Sequence, residues 1–161
     1  MMEHLNDVGN VYIDISGGTA TVSGDIRSLI GWSDTMPTGA FRGLFNGCSK
    51  LVNASQLTLP LSTTEACYQN MFMGCTGLTS IPNLSATELA PSCYEYMFYN
   101  CNSLQNVPAY LLPASSLGDA CYMSMFSNCL SLTNAVILSA TTLAPSCYCG
   151  MFEHTGITTA P

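Results

Sequence analysis

The sequence predicts an α/β solenoid, a right-handed array of short parallel strands and short helices behind an N-terminal β-hairpin cap. Three observations carry that expectation: a phrase that recurs along the chain, a near-constant step between its copies, and a first quarter that lacks it. The phrase is C-Y-x-x-M-F-x-x-C, and its five versions run from Phe41 to Cys48, Cys67 to Cys75, Cys93 to Cys101, Cys121 to Cys129 and Cys147 to Thr155. The second aromatic of each version, Phe45, Phe72, Phe98, Phe126 and Phe152, recurs after 27, 26, 28 and 26 residues. Units repeated at such a step can bury their apolar faces only against their neighbours, the condition that makes a chain stack.

Residues 1–39 come first and read as the cap. Val11 to Ser16 and Thr19 to Ser23 alternate about Gly17-Gly18, the pattern of a β-hairpin with a tight turn. Asp25 to Trp32 reads as a short helix leading into the array, and a stacked array needs such an atypical unit to cover its exposed core. Residues 40–161 then hold five units, the last incomplete, at a step within the range of leucine-rich repeats.

Each unit divides into two halves. In the first, Cys93, Tyr94, Met97 and Phe98 stand at i, i+1, i+4 and i+5, which predicts one apolar arc of a short amphipathic helix. Thr64, Pro91-Ser92, Asp119 and Pro145-Ser146 are the expected helix starts. Gly47, Gly74, Asn100, Asn128 and His154 occupy the position before the closing Cys or Thr and predict a left-handed cap. In the second half, Leu78 to Pro82, Leu104 to Pro108 and Leu132 to Val136 follow L-x-x-Φ, where Φ is apolar, and Leu51 to Ala54 and Ile157 to Ala160 are partial versions. Stacked units are expected to pair these stretches as a parallel sheet of very short strands, limited by the proline that often follows Φ.

Composition narrows the function. Charged residues make up 8% of the 161-residue chain, so Ser, Thr, Asn, Gln and Tyr must cover its surface. Arg27, Arg42 and Lys50 are the whole basic set against ten acidic residues, which excludes nucleic acid as a partner, because phosphate binding needs clustered cations. No apolar run approaches the ~18 residues of a membrane span, so direct membrane insertion is excluded as well. The start, Met1-Met-Glu-His, does not read as an export signal, and the stop inside a unit suggests a piece of a longer protein.

The nine cysteines admit two arrangements. Pairing within a unit, Cys93 with Cys101, must bridge roughly 10 Å along a helix and is rejected. Between units, Cys48 with Cys67, Cys75 with Cys93, Cys101 with Cys121 and Cys129 with Cys147 could close, leaving Cys149 alone. Free thiols in two buried ladders are favoured, because Ala40 and Thr155 replace a cysteine at each ladder's end. Cys147, Cys149 and His154 form too small a set for a structural zinc site. His4 and His154 lie at opposite ends, so no thiol has a base beside it, and the reading is of a protein that is not an enzyme, with no catalytic residue, cofactor or metal.

Met97-Phe-Tyr-Asn-Cys-Asn-Ser-Leu104, the following strand with its proline, and the Ala-Thr-x-Leu connectors together resemble the BspA-like leucine-rich-repeat proteins of bacterial cell surfaces. The resemblance covers residues 40–161, and Ser23 to Ile30 also looks like the segment before such arrays. It implies an extracellular, non-enzymatic binding or adhesion role, with a host or neighbouring-cell protein or glycan as partner. The alternative is a structural spacer or assembly element of a larger surface or virion protein, capable of end-to-end self-association.

Flanking Φ, two columns are expected to face a partner. The residue before Φ gives Asn53, Ser80, Asn106, Asn134 and Thr159; the residue after gives Ser55, Pro82, Pro108 and Val136. The plainer alternative is that the amides satisfy one another along the stack.

Overall fold

The computed structural model describes residues 11–33 and 35–159. The start of the expected cap at 1–10, with His4, and the last two residues of the final unit lie outside the described residues.

The expected α/β solenoid is overturned. Among the described residues there are three strands, β1 (Tyr12–Ser16), β2 (Thr19–Asp25) and β3 (Leu51–Thr58), one 3₁₀ helix (Ile26–Ile30), and no α-helix. Ten-residue runs of consecutive turns stand where helices were expected, at 38–47, 65–74, 91–100, 119–128 and 145–154.

The reason lies in the period. Cys67-Tyr68, Met71-Phe72 and Cys75 recur every four residues, and on an α-helix of about 3.6 residues per turn that pattern drifts off one face by about 40° per repeat. The chain meets a four-residue period by placing a left-handed residue at every fourth position. Ala66, Asn70 and Gly74 have φ of 54°, 59° and 71°, and Ser92, Tyr96 and Asn100 have 53°, 53° and 61°. The first unit uses Gly39, Gly43 and Gly47 for the same three places. Positive φ therefore does occur before each closing residue, but as the last of three such positions and not as a helix cap.

Hydrogen bonding follows the same alternation. Cys67, Gln69, Met71 and Met73 donate their N–H groups to the carbonyl three residues back, at 3.1–3.2 Å. Ala66, Tyr68, Asn70, Phe72 and Gly74 point the other way and donate to Pro91, Cys93, Glu95, Met97 and Tyr99 of the next unit, at 2.8–3.0 Å. Four of these amides close turns and five join layers, so every N–H from Ala66 to Gly74 is bonded.

Two aromatic columns run through the layers. Phe41, Tyr68, Tyr94, Tyr122 and Tyr148 stack in one, with centroids 5.5–6.0 Å apart. Phe45, Phe72, Phe98, Phe126 and Phe152 stack in the other, at 5.3–5.9 Å. Tyr68, Phe72, Phe98, Phe126 and the methionines Met71, Met97 and Met125 are fully buried. At about 25 cal/mol per Å² of apolar surface, these columns are the main driving force of the stack.

The opposite side of each layer is less regular. β3 pairs in parallel with β2, which pairs antiparallel with β1 through Gly17-Gly18, so the hairpin extends β3 at the N-terminal end. Val22, Ile26 and Met36 are buried there in the same core cluster as Phe41 and Phe45. The 3₁₀ helix starts at Asp25, whose side chain accepts from Arg27 N–H, and stops at Gly31 with φ 66°. Beyond β3 the expected parallel sheet reduces to isolated bridges, Asn53 with Ser80 and Glu88 with Ser116. Pro82 and Pro108 have no N–H to donate just where a ladder would continue.

Candidate functional site

The strand-side columns do not behave as one surface. Asn106, Pro108 and Thr159 are exposed, while Asn53, Ser55, Ser80 and Asn134 are half-buried. Pro82 is buried and Val136 is 1% exposed, so neither presents a side chain to a partner, a correction to the expected ladder. In the fourth unit the chain slips by one residue, so that Val136 and not Ala135 enters the core; Val is the larger apolar side chain and gains more by burial.

Two of the amides are occupied by the backbone. Asn134 accepts from Val107 N–H at 3.0 Å and donates to Val107 O at 2.7 Å, standing in for a strand partner. Asn53 accepts from Ser55 N–H at 2.8 Å. What remains exposed to meet a ligand is a sparser, uncharged set, Asn106, Pro108 and Thr159, with Ser55 and Ser80 half-buried beside it.

All nine cysteines are free thiols. The expected ladders correspond to two columns, in which Cys93 neighbours Cys67 and Cys121, and Cys101 neighbours Cys75 and Cys129. The alternative pairing, Cys75 with Cys93 for example, joins members of different columns. The closing thiols also hydrogen-bond between layers: Cys75, Cys101 and Cys129 Sγ donate to the Phe45, Phe72 and Phe98 carbonyls at 3.0, 3.2 and 3.1 Å. Thr155, in the same place, turns its hydroxyl to Phe152 O of its own unit instead.

Burial pushes the thiols up, to about 11 at Cys67 and about 12 at Cys75, Cys121 and Cys129. Burial and a raised pKa leave these four thiols poor nucleophiles and poor metal ligands at neutral pH. Cys149 and His154 are exposed and Cys147 is buried; Glu153 is the neighbour of His154, 3.5 Å away. No group of three metal-ligating side chains occurs among the described residues, and no helix there is long and apolar enough to cross a membrane.

Two shallow grooves lie on the strand side. One, of about 440 Å³, is lined by Leu61, Thr63, Thr87, Glu88 and Ser116, but Thr63 Oγ1 is already engaged with Glu88 O and Ala90 N–H. The other, of about 400 Å³, lies between Asn83 to Ser85 of one unit and Pro108 to Pro113 of the next and carries Tyr110, which is 79% exposed. The repeat reading passed over Tyr110 because it belongs to no column; the signal was the 28-residue step that contains it.

Comparison with family models, curated proteins and solved structures yields no match.

Proposed function

We propose that the chain is a non-enzymatic, extracellular binding or adhesion module of a bacterial cell-surface protein, recognising a host or neighbouring-cell protein or glycan through its strand-side surface. The observation that supports this most directly is an uncharged column flanking the strands, with Asn106, Pro108 and Thr159 exposed on it, carried by layers whose backbones are bonded to one another. A surface that is already ordered loses little entropy when it meets a partner. The C-Y-x-x-M-F-x-x-C-x-x-L phrase, with its likeness to BspA-like surface repeats, supports the location. The raised thiols are poor nucleophiles, and the basic side chains are too few for nucleic acid.

A second reading, a spacer or assembly element of a larger surface or virion protein, draws on the layer-to-layer hydrogen bonds, a device that any further layer could use. Immobilised chain probed with extracellular-matrix proteins and a glycan array, together with its solution mass, separates the two. Adhesion predicts a monomer with a saturable partner whose affinity falls about tenfold in Asn106→Asp, through an unpaired charge in the contact. Mass that grows with concentration, and no partner above background, would overturn it in favour of assembly.

A further inference from the structure

The units differ in length only on the side away from the aromatic columns. The step from Phe98 to Phe126 is 28 residues and the step before it 26, an excess of two (28 − 26). The two extra residues follow the proline: Pro82-Asn83-Leu84 in one unit becomes Pro108-Ala109-Tyr110-Leu111-Leu112 in the next. Leu84 and Leu112 are both buried, as are Ala86 and Ala114 beyond them, so the core register resumes and the added pair is pushed outward. Insertions in stacked repeats emerge as loops on one face, often the face that binds.

This loop is held in place. Leu111 N–H donates to Pro108 O at 3.1 Å and closes a turn, and Ile137 N–H of the following unit donates to Ala109 O at 2.8 Å. Tyr110 at its tip is the most exposed large apolar side chain among the described residues. The adjoining groove is walled by Asn83, Leu84, Ser85, Pro108 and Pro113 and contains no Asp, Glu, Lys, Arg or His. Its volume of about 400 Å³ is within the range of small-molecule sites.

We propose that Tyr110 and this groove form a binding site for a neutral glycan, with one sugar ring lying on the Tyr110 ring and its hydroxyls bonding to Asn83 and Ser85. A pyranose ring has a face of C–H groups and a rim of hydroxyls. The negative face of an aromatic ring attracts the first. The amide of Asn83 and the hydroxyl of Ser85, each donor and acceptor, suit the second. The absence of cations in the groove, within a chain of net charge −7, disfavours anionic sugars. A proline-rich peptide sits between aromatic walls, and this groove has a single aromatic. The proposal deepens the binding reading above and rests on it.

The test is titration of the full chain with neutral tetrasaccharides of glucose, mannose, galactose, xylose and N-acetylglucosamine, followed by saturation-transfer NMR and calorimetry. Sialyllactose and decaproline serve as comparison probes. The expected result is low-millimolar binding of a neutral sugar, weakened about tenfold or more by Tyr110→Ala and retained in Tyr110→Trp. Leu61→Ala, an exposed apolar residue lining the other groove, leaves it unchanged. Both tyrosine variants change an exposed side chain, and an unaltered melting curve checks that they fold. Sugar binding unaffected by Tyr110→Ala overturns this site while leaving the surface a binding module. Decaproline bound in a Tyr110-dependent way overturns the glycan in favour of a peptide. No binding by any neutral sugar overturns the glycan altogether, and the matrix-protein panel then judges the broader reading separately.

Discussion

On the turn side, segments 38–47, 65–74, 91–100 and 119–128 have the same length, three left-handed positions at the same places and the same alternation of hydrogen bonds. On the strand side of the same layers, one unit pairs as β3, another keeps only a bridge at Ser80, another inserts Ala109-Tyr110, and the next slips to bury Val136. The first side satisfies its backbone by a rule that leaves no freedom, so any change in length would break two layers at once. The second satisfies its polar groups piecemeal, with Asn134 or a proline where a strand is missing, and so tolerates insertion. Variation that a ligand could read is therefore confined to the strand side.

The largest expected effect breaks the turn side. Phe98→Ala removes a ring stacked between Phe72 and Phe126 and is expected to cost about 4 kcal/mol, read by urea unfolding. Val107→Ala, nearly as buried but on the strand side, is expected to cost about 2 kcal/mol. Equal costs would refute the asymmetry between the two sides.

Alkali tests the thiol columns. The folded values of Cys67, Cys75, Cys121 and Cys129 lie above the unfolded value of 9.0, so their contribution is fully present below pH 9 and is lost as pH rises through about 11 to 12. Midpoints of unfolding should fall steadily across that window. At neutral pH, iodoacetamide should label Cys48 and Cys149, which are exposed, and reach the seven buried thiols only after denaturation.

Within the strand side, the two kinds of amide should separate. Asn134→Ala leaves Val107 N–H without its partner and is expected to cost about 1 kcal/mol. Asn106→Ala, at an exposed position, is expected to stay within about 0.5 kcal/mol of the parent. Denaturant midpoints for the pair decide which amides are scaffold.

The smallest effect carries the sharpest sign. Ala120 has φ 53°, so Ala120→Gly relieves left-handed strain and is expected to stabilise the chain by about 0.5 kcal/mol after the entropic cost of glycine. In an α-helix the same substitution would cost about 1 kcal/mol. A loss of stability would restore the helical reading of these segments.

Much of the layout was legible. The recurring phrase placed the core columns, because Tyr94, Met97, Phe98 and Cys101 are apolar at fixed offsets in successive units. Gly17-Gly18 between alternating runs marked the hairpin, since both residues need positive φ, at 57° and 80°. The turn segments were misread because periods of 3.6 and four differ by little over nine residues. Gly39-x-x-x-Gly43-x-x-x-Gly47 held the distinguishing signal, and later units hid it behind Ala66, Ser92, Tyr96 and Ser124 in left-handed conformations that such residues seldom adopt. At the candidate site, the columns flanking Φ were visible by register, but the plugging of Asn134 into the Val107 backbone was not.

By itself, the sequence determined the unit, its step, the residues that stack and the place where one unit is longer, because each is a matter of spacing along the chain. Tertiary structure alone decided that half of the turn amides bond across layers, that most expected strands do not form, and which amides stay open to solvent. Those outcomes depend on where the neighbouring layer's carbonyls lie, and a hydrogen bond between residues 25 apart is invisible to any local pattern.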